Sequence, residues 1–235
     1  MLTVALVGAD GAGKSTIGRK LQEIFPLPMK YVYMGVNLES SNLVLPTTRL
    51  LLEVKRARGQ RPDITVPRDV YFQAQTRQKF TKRAAGGIKS ALRLVNLIAE
   101  EWFRQLIVWY YMFRGYYVLF DRHFYFDYYD HDIADKDPKR PLSSRIHGFM
   151  LEKLYPKPDF VIFLDAPAEV LFARKPERTI EILESKRQEY IRLREVMKNY
   201  AVVDVSQPVD TVVRQVCELI VNFQQNKNGI YQQAE

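Results

Sequence analysis

The sequence predicts an α/β fold in which helices cover both faces of a five-stranded parallel sheet, formed by one domain over residues 1–235. Five short segments are almost entirely apolar, they alternate with segments of helical pattern, and a glycine-rich loop follows the first of them. Continuous apolar strands are typical of a parallel sheet that is buried on both faces. With 47% hydrophobic residues, the chain can bury such a core without disulfides or metals.

Apolar runs rich in β-branched and aromatic residues give the strands. In chain order the predicted strands occupy residues 2–7, 31–34, 116–120, 159–164 and 201–205. Helical periodicity, together with glycine and proline breaks, places helices between and after them. The predicted helices include residues 15–25, 143–155, 167–174, 179–199 and 209–225, after which the tail is expected to fray.

The long segment before the third strand, residues 46–115, is predicted to be largely helical, with breaks near 59–62, Pro67 and 86–87. Its part 88–113 has apolar residues on most faces. This predicts a mostly buried helix, part of which could face a second subunit in a homodimer. Residues after the third strand, 122–142, are predicted to be irregular.

The positive charge of the chain is concentrated in one segment. The formal net charge is +8, whereas residues 49–93 hold twelve basic and three acidic side chains and so carry +9. Such a segment indicates an anionic partner, either a phosphorylated substrate or the acidic face of a membrane, or else a solvated helical surface. No nucleic acid is expected, because no nucleic-acid-binding motif accompanies the charge. The block 46–93 is too long for a plain crossover and is expected to form an enlarged helical lobe beside the sheet.

The single cysteine, Cys217, allows no intrachain disulfide, which is typical of a reducing compartment and predicts a cytoplasmic protein. The first fifteen residues lack the basic region and the long apolar core of a signal peptide. The longest apolar run, 106–120, is interrupted by Arg114 and Gly115, whereas a membrane span needs about 20 apolar residues.

The loop after the first strand matches the phosphate-binding pattern G-x-x-x-x-G-K-[ST] over residues 8–15. Its glycines let backbone N–H groups face phosphate oxygens, and the positive end of the next helix points at the same anion. Lys14 is expected to reach the β- and γ-phosphates, and Ser15 is expected to hold Mg²⁺. The predicted nucleotide-binding residues are Gly8, Gly11, Ala12, Gly13, Lys14, Ser15 and Thr16.

Asp10 lies inside this loop, where a carboxylate would repel phosphates at close range. It is therefore expected to point away from them. Its carboxylate either accepts a hydrogen bond from a hydroxyl of the acceptor substrate or caps a turn of its own backbone.

Two predicted strands end in a carboxylate, at the sheet edge where ligands bind in open α/β folds. Asp121 can bind metal or take a proton from an acceptor hydroxyl, and Arg122 can clamp an acceptor phosphate. A structural ion pair is the alternative for these two residues. Asp165 is predicted to cap the helix that follows it, and His123 could equally be a packed ring.

Three cations follow the fourth strand and could close as a flap over the phosphates, or could simply be the charged end of a helix. They are Arg174, Lys175 and Arg178. The aromatic and acidic block 125–132 could hold a flat or hydroxylated acceptor, or could be a packing loop. The spacing of its last three residues, 130–132, does not predict a metal site.

These motifs resemble a known family. The stretch GADGAGKST, a strand ending in Asp-Arg-His, the segment PDFVIFLDAPAEVLFARKPER and a late VVDVS strand are similar to the thymidylate kinase branch of the nucleoside monophosphate kinases. The resemblance covers residues 1–25 and 115–223. It implies a P-loop kinase fold, ATP and Mg²⁺ as cofactors, and a lid that carries arginines, here at 174–180.

Carried over by position, the resemblance implies that Lys14 and Ser15 bind the ATP phosphates and Mg²⁺ and that Asp10 faces the acceptor sugar. It implies that Asp121 and Arg122 handle the metal and the acceptor phosphate. Arg174 and Arg178 fall in the lid. Ala12 occupies a position where some members carry an arginine, which again indicates that the arginines come from the lid.

The acceptor side departs from the family pattern. After Asp-Arg the family usually has a Ser or Thr and an Ala-Tyr-Gln stretch, whereas this chain has aromatic residues at 124–129 and Asp127 among them. Residues 33–37 replace the usual Arg-Glu-Pro-like turn. The family arginine before the third strand has Arg104 as its candidate, about one helical turn out of place.

Three functions are therefore compared. The first is transfer of the ATP γ-phosphate to a nucleoside monophosphate, most simply dTMP, by positioning and charge stabilisation. The second is a kinase for a hydroxyl acceptor such as a sugar, glycolipid or nucleoside, with Asp121, or less favourably Asp127, as base. The third is a non-enzymatic ATP-binding switch. The basic segment 49–93 could also make peripheral membrane contact.

Overall fold

The computed structural model describes residues 1–35, 41, 43–57, 83–135, 137 and 140–232. Five parallel strands of these residues form one sheet. They are β1 (Thr3–Val7), β2 (Met29–Tyr33), β3 (Tyr117–Asp121), β4 (Phe160–Asp165) and β5 (Tyr200–Asp204). Their spatial order is β2-β3-β1-β4-β5, and each neighbouring pair is parallel.

Helices connect these strands and cover the sheet. They are α1 (Lys14–Ile24), α2 (Pro46–Ala57), α3 (Arg83–Phe113), α4 (Phe124–Asp127), α5 (Leu142–Lys153), α6 (Ala168–Arg174), α7 (Ile180–Arg192) and α8 (Val209–Gln232). A π-helix occupies Tyr129–Ala134, and a short 3₁₀ helix occupies Leu193–Glu195.

The core lies on both faces of the sheet. Leu6 of β1 packs with residues of α1 and α8, such as Leu21 and Val216. Its neighbour Val7 packs on the opposite face with residues of α3 and α5, such as Val108. Because successive side chains of a strand point to opposite faces, both must be apolar in a sheet covered twice. The predicted class is confirmed, and the chain has an α/β P-loop kinase fold.

The central strand β1 lies between β3 and β4, so the chain crosses to opposite sides of it. In such sheets the carboxyl ends of the strands beside this crossing point form a crevice. The loop 8–15 leaves β1 at this edge, and Asp121 and Asp165 end the strands on either side of it. The topology therefore brings the three predicted features together.

Two predicted helix ends are wrong. The helix predicted to run to residue 199 ends at Arg192. At this end Tyr200 Oη of β5 donates to the carbonyl of Tyr190 at 2.6 Å, and the chain tightens into the 3₁₀ helix Leu193–Glu195. The last helix was predicted to end at residue 225 but continues to Gln232. Lys227 forms an ion pair with Asp159 at 2.7 Å, which holds these turns against the sheet.

The long helix α3 also differs from the prediction in two ways. It runs through residues 86–87 without the predicted break, because a glycine inside a helix costs only about 1 kcal/mol. It is not mostly buried: Leu92 is 64% exposed, Leu106 57% and Phe113 88%. These residues lie at helical spacing, so the helix presents an apolar face to solvent.

The segment 122–142 was predicted to be irregular, and this is wrong for much of it. Helix α4 and the π-helix occupy residues 124–127 and 129–134. Phe124, Tyr125 and Phe126 are buried, and the side chain of His123 caps α4 by accepting from the Tyr125 N–H. The aromatic residues form a packed layer that closes the sheet on this side.

Most of the predicted basic lobe, 46–93, lies outside the described residues, apart from α2 and the start of α3. The predicted breaks near 59–62 and Pro67 lie there too, and so do the middle residues of the segment 49–93 for which membrane contact is proposed. Within the residues described, none of the helices combines the length and apolar character that crossing a membrane requires.

Candidate functional site

The loop 8–15 has a backbone that only glycine can supply at two points. Gly11 has φ +88°, and a Cβ there would lie 2.4 Å from the carbonyl oxygen of Leu171. A Cβ at Gly8, which has φ +153°, would lie 2.6 Å from the carbonyl oxygen of Leu164. The loop is therefore pressed against β4 and α6, which fixes its shape before any ligand binds.

The first turn of α1 fits an anion. Gly13 precedes the helix with φ +78°, no side chain caps the helix, and its first turn carries no acidic residue. Ser15 and Thr16 are exposed there, whereas Ala12 is buried. Unpaired N–H groups and the helix dipole favour negative charge at this point.

Lys14 lies inside the loop rather than in solvent. Its Nζ donates to the carbonyl oxygens of Gly8 and Ala9, both at 2.8 Å. Burial lowers the pKa of Lys14 to about 7, and the nearby guanidinium of Arg122 acts in the same direction. Both carbonyls are weak partners for a buried ammonium group, so an anion in the loop would compete well for it.

Asp121 faces the loop from the end of β3 and is buried. Its Oδ2 accepts hydrogen bonds from the Ser15 hydroxyl, at 2.5 Å, and from the phenol of Tyr31. Its Oδ1 is also buried and has no hydrogen-bond partner in the part of the chain that the structure describes. A carboxylate oxygen in need of a partner beside a serine hydroxyl fits Mg²⁺, which prefers oxygen ligands. Ser15 and Asp121 are thus the residues that would hold the metal.

Asp10 is held between two arginines. Its Oδ1 accepts from Arg122 and its Oδ2 accepts from Arg178 Nε at 3.0 Å. Burial alone would raise the pKa of Asp10, but the charges of Arg122, Lys14 and Arg178 hold it well below its usual range. The carboxylate thus links the phosphate loop to the end of β3 and to the lid.

Arg122 has φ +63°, an uncommon backbone conformation for a residue with a side chain. Such strain persists only where surrounding contacts hold it, and it is frequent at functional sites. Burial would lower the pKa of Arg122, but the charge of Asp127 and that of Asp10 raise it above its usual value. Asp127, at the end of α4, therefore belongs to the same charge cluster.

Arg104, which the sequence predicts as an acceptor-binding residue, contacts backbone carbonyls in this structure. It is buried, and its guanidinium donates to the carbonyl oxygens of Gly35, at 2.8 Å, and Leu43, at 3.2 Å. A Cβ at Gly35 would lie 2.7 Å from Cδ of Arg122, so this backbone touches the Arg122 side chain. Arg104 therefore supports the loop against which Arg122 packs.

The two lid arginines are placed differently. Arg178 reaches Asp10, as described above. Arg174 instead donates to the carbonyl oxygen of Val205, just after β5, at 2.8 Å. Lys175 forms an exposed ion pair with Glu177 at 3.0 Å. Of the three cations predicted to form a flap, only Arg178 lies against the phosphate loop in this structure.

Asp165 does not cap the following helix, and this prediction is wrong. Helix α6 has no side-chain cap. The carboxylate of Asp165 forms a two-point ion pair with Arg187 of α7, at 2.6 and 3.0 Å. Sequence reasoning missed Arg187, because its partner lies 22 residues away and no motif links them.

His123 is a packed ring. Burial lowers its pKa to about 3, so the imidazole is neutral. The ring lies between Phe120 and Phe124, with centroids 5.1 and 4.4 Å away. Its Nδ1 accepts from the Tyr125 N–H, which assigns the proton to Nε2.

A buried polar network near α4 was also missed. His147 Nδ1 lies 2.7 Å from an oxygen of Asp132, and its Nε2 lies 3.1 Å from the carboxylate of Glu101. Tyr155 donates to the same Glu101 at 2.9 Å. Although burial opposes it, the two carboxylates raise the pKa of His147 to about 9. This cation ties α3, α5 and the π-helix together, and no local sequence signal predicts such a long-range partnership.

The comparison with known proteins agrees with this geometry. A protein of Archaeoglobus fulgidus named "Probable thymidylate kinase" is 32% identical over an alignment of 123 residues, and the alignment covers 48% of this chain. The chain spans 59% of the length of that relative. No family model matches the chain. The similarity and the parallel sheet together fit a P-loop kinase.

Proposed function

We propose that this chain is an ATP-dependent phosphotransferase that acts on a small acceptor. The acceptor that we propose is a nucleoside monophosphate, and dTMP is the first candidate. The observation that carries the proposal is the buried Oδ1 of Asp121, which lacks a partner beside the hydroxyl of Ser15. A phosphate loop alone would bind many anions. The Asp121 carboxylate, which accepts a hydrogen bond from the Ser15 hydroxyl at 2.5 Å, would add the metal site that γ-phosphate transfer needs.

In this proposal the phosphate edge works by position and charge. The N–H groups of the loop and of the first turn of α1 receive the phosphates, and Lys14 exchanges its two carbonyl partners for phosphate oxygens. When bound, Mg²⁺ would offset charge on the β- and γ-phosphates. Arg178 approaches from the lid, and Gly11 holds the loop shape.

The acceptor would lie on the far side of Asp10. A phosphate of the acceptor competes with Asp10 for the guanidinium of Arg122. The Asp10 oxygen that is released can then accept a hydrogen bond from an acceptor hydroxyl. Arg104 keeps the backbone at Gly35 under Arg122, and the negative charge of Asp127 attracts the guanidinium.

A hydroxyl acceptor is the second candidate, and one observation favours it. Arg122 is already paired with Asp10 and lies near Asp127, so an acceptor phosphate must displace a carboxylate. A neutral sugar, glycolipid or nucleoside needs no such displacement. Asp121 would then act as the base that takes the hydroxyl proton.

A panel of acceptors separates the two candidates. ADP release from ATP and Mg²⁺ is measured with dTMP, dUMP, the other monophosphates, nucleosides and common sugars. Turnover with dTMP well above every other acceptor supports the first candidate. Turnover only with nucleosides or sugars supports the second, and no turnover with any of them, while ATP still binds, supports an ATP-binding switch.

The exposed face of α3 supports a further part of the proposal, a homodimer. Leu92, Leu106 and Phe113 lie on one side of a 31-residue helix, which is long enough to pair with its copy. Light scattering should give twice the chain mass of 27.5 kDa, and Leu106→Glu should give the monomer. A wild-type monomer at all concentrations would exclude the dimer.

A further inference from the structure

The two oxygens of the Asp121 carboxylate have unequal surroundings. Oδ2 accepts two hydroxyl groups, those of Ser15 and Tyr31, whereas the buried Oδ1 accepts none from the residues described. A buried oxygen without a hydrogen-bond partner costs free energy. The two hydroxyl groups could have donated to one oxygen each, but both donate to Oδ2. The arrangement therefore leaves Oδ1 of Asp121 available to a ligand.

Tyr31 is held in place from two sides. Its backbone lies in β2 and pairs with Leu119 of β3. Its ring lies against Gly18 in the interior of α1, where a Cβ would come within 2.7 Å of the ring carbon Cε2. Glycine weakens a helix interior by about 1 kcal/mol relative to alanine. Here the space that glycine leaves is occupied by the aromatic ring that carries the phenol to Asp121.

We propose that Tyr31 is a positioning residue for the metal–nucleotide site, and that its phenol holds the Asp121 carboxylate so that Oδ1 faces the metal. The inference rests on the proposed function. Nothing in the phosphate-loop motif or in the strand-end Asp-Arg pair includes residue 31, which lies in the middle of β2.

The role of Tyr31 differs from that of Ser15. The Ser15 oxygen is itself expected to become a metal ligand, so its hydrogen bond to Asp121 must accommodate the metal. Tyr31 is not an expected metal ligand, and its phenol donates to the carboxylate oxygen that also accepts from Ser15. The terminal torsion of an aspartate is broad, so a second fixed donor narrows the orientations available to the carboxylate.

The test compares ATP binding with and without metal. Loss of a group that orients a metal ligand typically weakens metal affinity about 10- to 100-fold. For Tyr31→Phe we therefore expect calorimetry to show an approximately tenfold rise in the Mg²⁺ concentration needed for tight ATP binding. ATP affinity in EDTA should stay within about twofold of wild type, because the loop contacts are intact.

Tyr117→Phe is the matched control. Tyr117 lies on the neighbouring strand β3, and its phenol pairs with Gln224 rather than with Asp121. This variant should keep the wild-type Mg²⁺ dependence. A double-mutant cycle adds a readout that a merely structural role would not move. In an Asp121→Ala background, Tyr31→Phe should add less than about a twofold change, because its effect passes through the carboxylate.

Circular dichroism establishes that each variant is folded. If Tyr31→Phe does not fold, Gly18→Ala tests the same contact by pushing the ring while keeping the phenol, and it should also raise the Mg²⁺ requirement. A folded Tyr31→Phe with the wild-type Mg²⁺ requirement overturns the inference and leaves the proposed function standing. A wild-type protein that does not bind ATP would instead overturn the proposed function.

Discussion

The edge of the sheet that carries the phosphate loop and the side on which we propose that the acceptor binds are built differently. At the phosphate edge, Lys14, Ser15 and Gly11 come from one loop, and Asp121 joins them from the next strand. On the acceptor side, Arg104 and His147 act through partners 15 to 69 residues away. The first region is a local motif on a rigid scaffold, and the second is a set of long-range polar contacts.

The two regions also differ in how strongly their charged groups are already paired within the protein. At the phosphate edge an ammonium group rests on two carbonyls, and one carboxylate oxygen has no partner in the described chain. On the acceptor side, His147 and Glu101 are buried against each other. The phosphate edge is therefore arranged to receive a ligand, whereas the His147 network is arranged to hold three elements together.

The largest expected effect is at Lys14. Lys14→Ala removes the cation that meets the phosphates, and activity with any acceptor should fall about 10³-fold or more. Steady-state ADP release measures it. Lys20→Ala on the same helix is the control, because the partly exposed Lys20 forms an ion pair with Asp210. Full phosphotransfer by Lys14→Ala would remove the assigned site.

Asp121 distinguishes the two acceptor classes. With a hydroxyl acceptor, Asp121→Asn removes a general base and should lower kcat about 10²- to 10⁴-fold. With a phosphate acceptor only metal affinity suffers, and excess Mg²⁺ should restore most of the rate. The measurement is kcat for each class as Mg²⁺ is raised. An equal loss that Mg²⁺ does not restore in either class would make this distinction untenable.

His147 should affect stability rather than nucleotide binding. His147→Gln leaves Glu101 and Asp132 buried without their cation and should cost about 3–5 kcal/mol in urea unfolding. ATP affinity of the folded variant should match that of wild type. Tyr155→Phe, which removes one hydrogen bond to Glu101, should cost about 1–2 kcal/mol.

The same network predicts a dependence on pH. The pKa of His147 is about 9 in the folded chain and 6.5 as an ordinary value, so its contribution is complete below pH 6.5 and is lost as pH rises through 9. Lys14 acts in the opposite direction, because burial lowers its pKa to about 7. The quantity to measure is therefore the difference between wild type and His147→Gln, which share Lys14. That difference should shrink from pH 6 to pH 10, and a constant difference would contradict the assignment.

Arg178 should give the smallest effect. Its ion pair with Asp10 is partly exposed, so Arg178→Ala should change stability by less than about 1 kcal/mol. The rate should fall about tenfold, because a charge near the phosphates is lost. Lys175→Ala is the matched control in the same segment. Equal rates for the two variants would show that Arg178 does not contribute to phosphate transfer.

The sequence predicted the phosphate edge better than the acceptor side for a physical reason. A glycine loop between a strand and a helix encodes its geometry locally, and a parallel sheet then brings Asp121 to the same edge. Partners such as Tyr31 for Asp121 and Arg187 for Asp165 are set by packing between elements. Spacing in the sequence contains no signal for them.

The errors on α3 have a related cause. Apolar residues on most faces predicted a buried helix, but hydropathy does not tell an inner face from a face that awaits a partner, and Phe113 is 88% exposed. The glycines at 86–87 predicted a break that the helix does not have. At residues 86–87 the surrounding helix outweighs the low helical preference of glycine.

Transfer of label from γ-labelled ATP tests phosphotransfer itself. Wild type and Lys14→Ala are each incubated with ATP, Mg²⁺ and the acceptor panel, and the labelled products are separated. We expect label on one class of acceptor with wild type and none above background with Lys14→Ala. ATP bound by wild type with no label on any acceptor, or equal label with both proteins, would contradict the account.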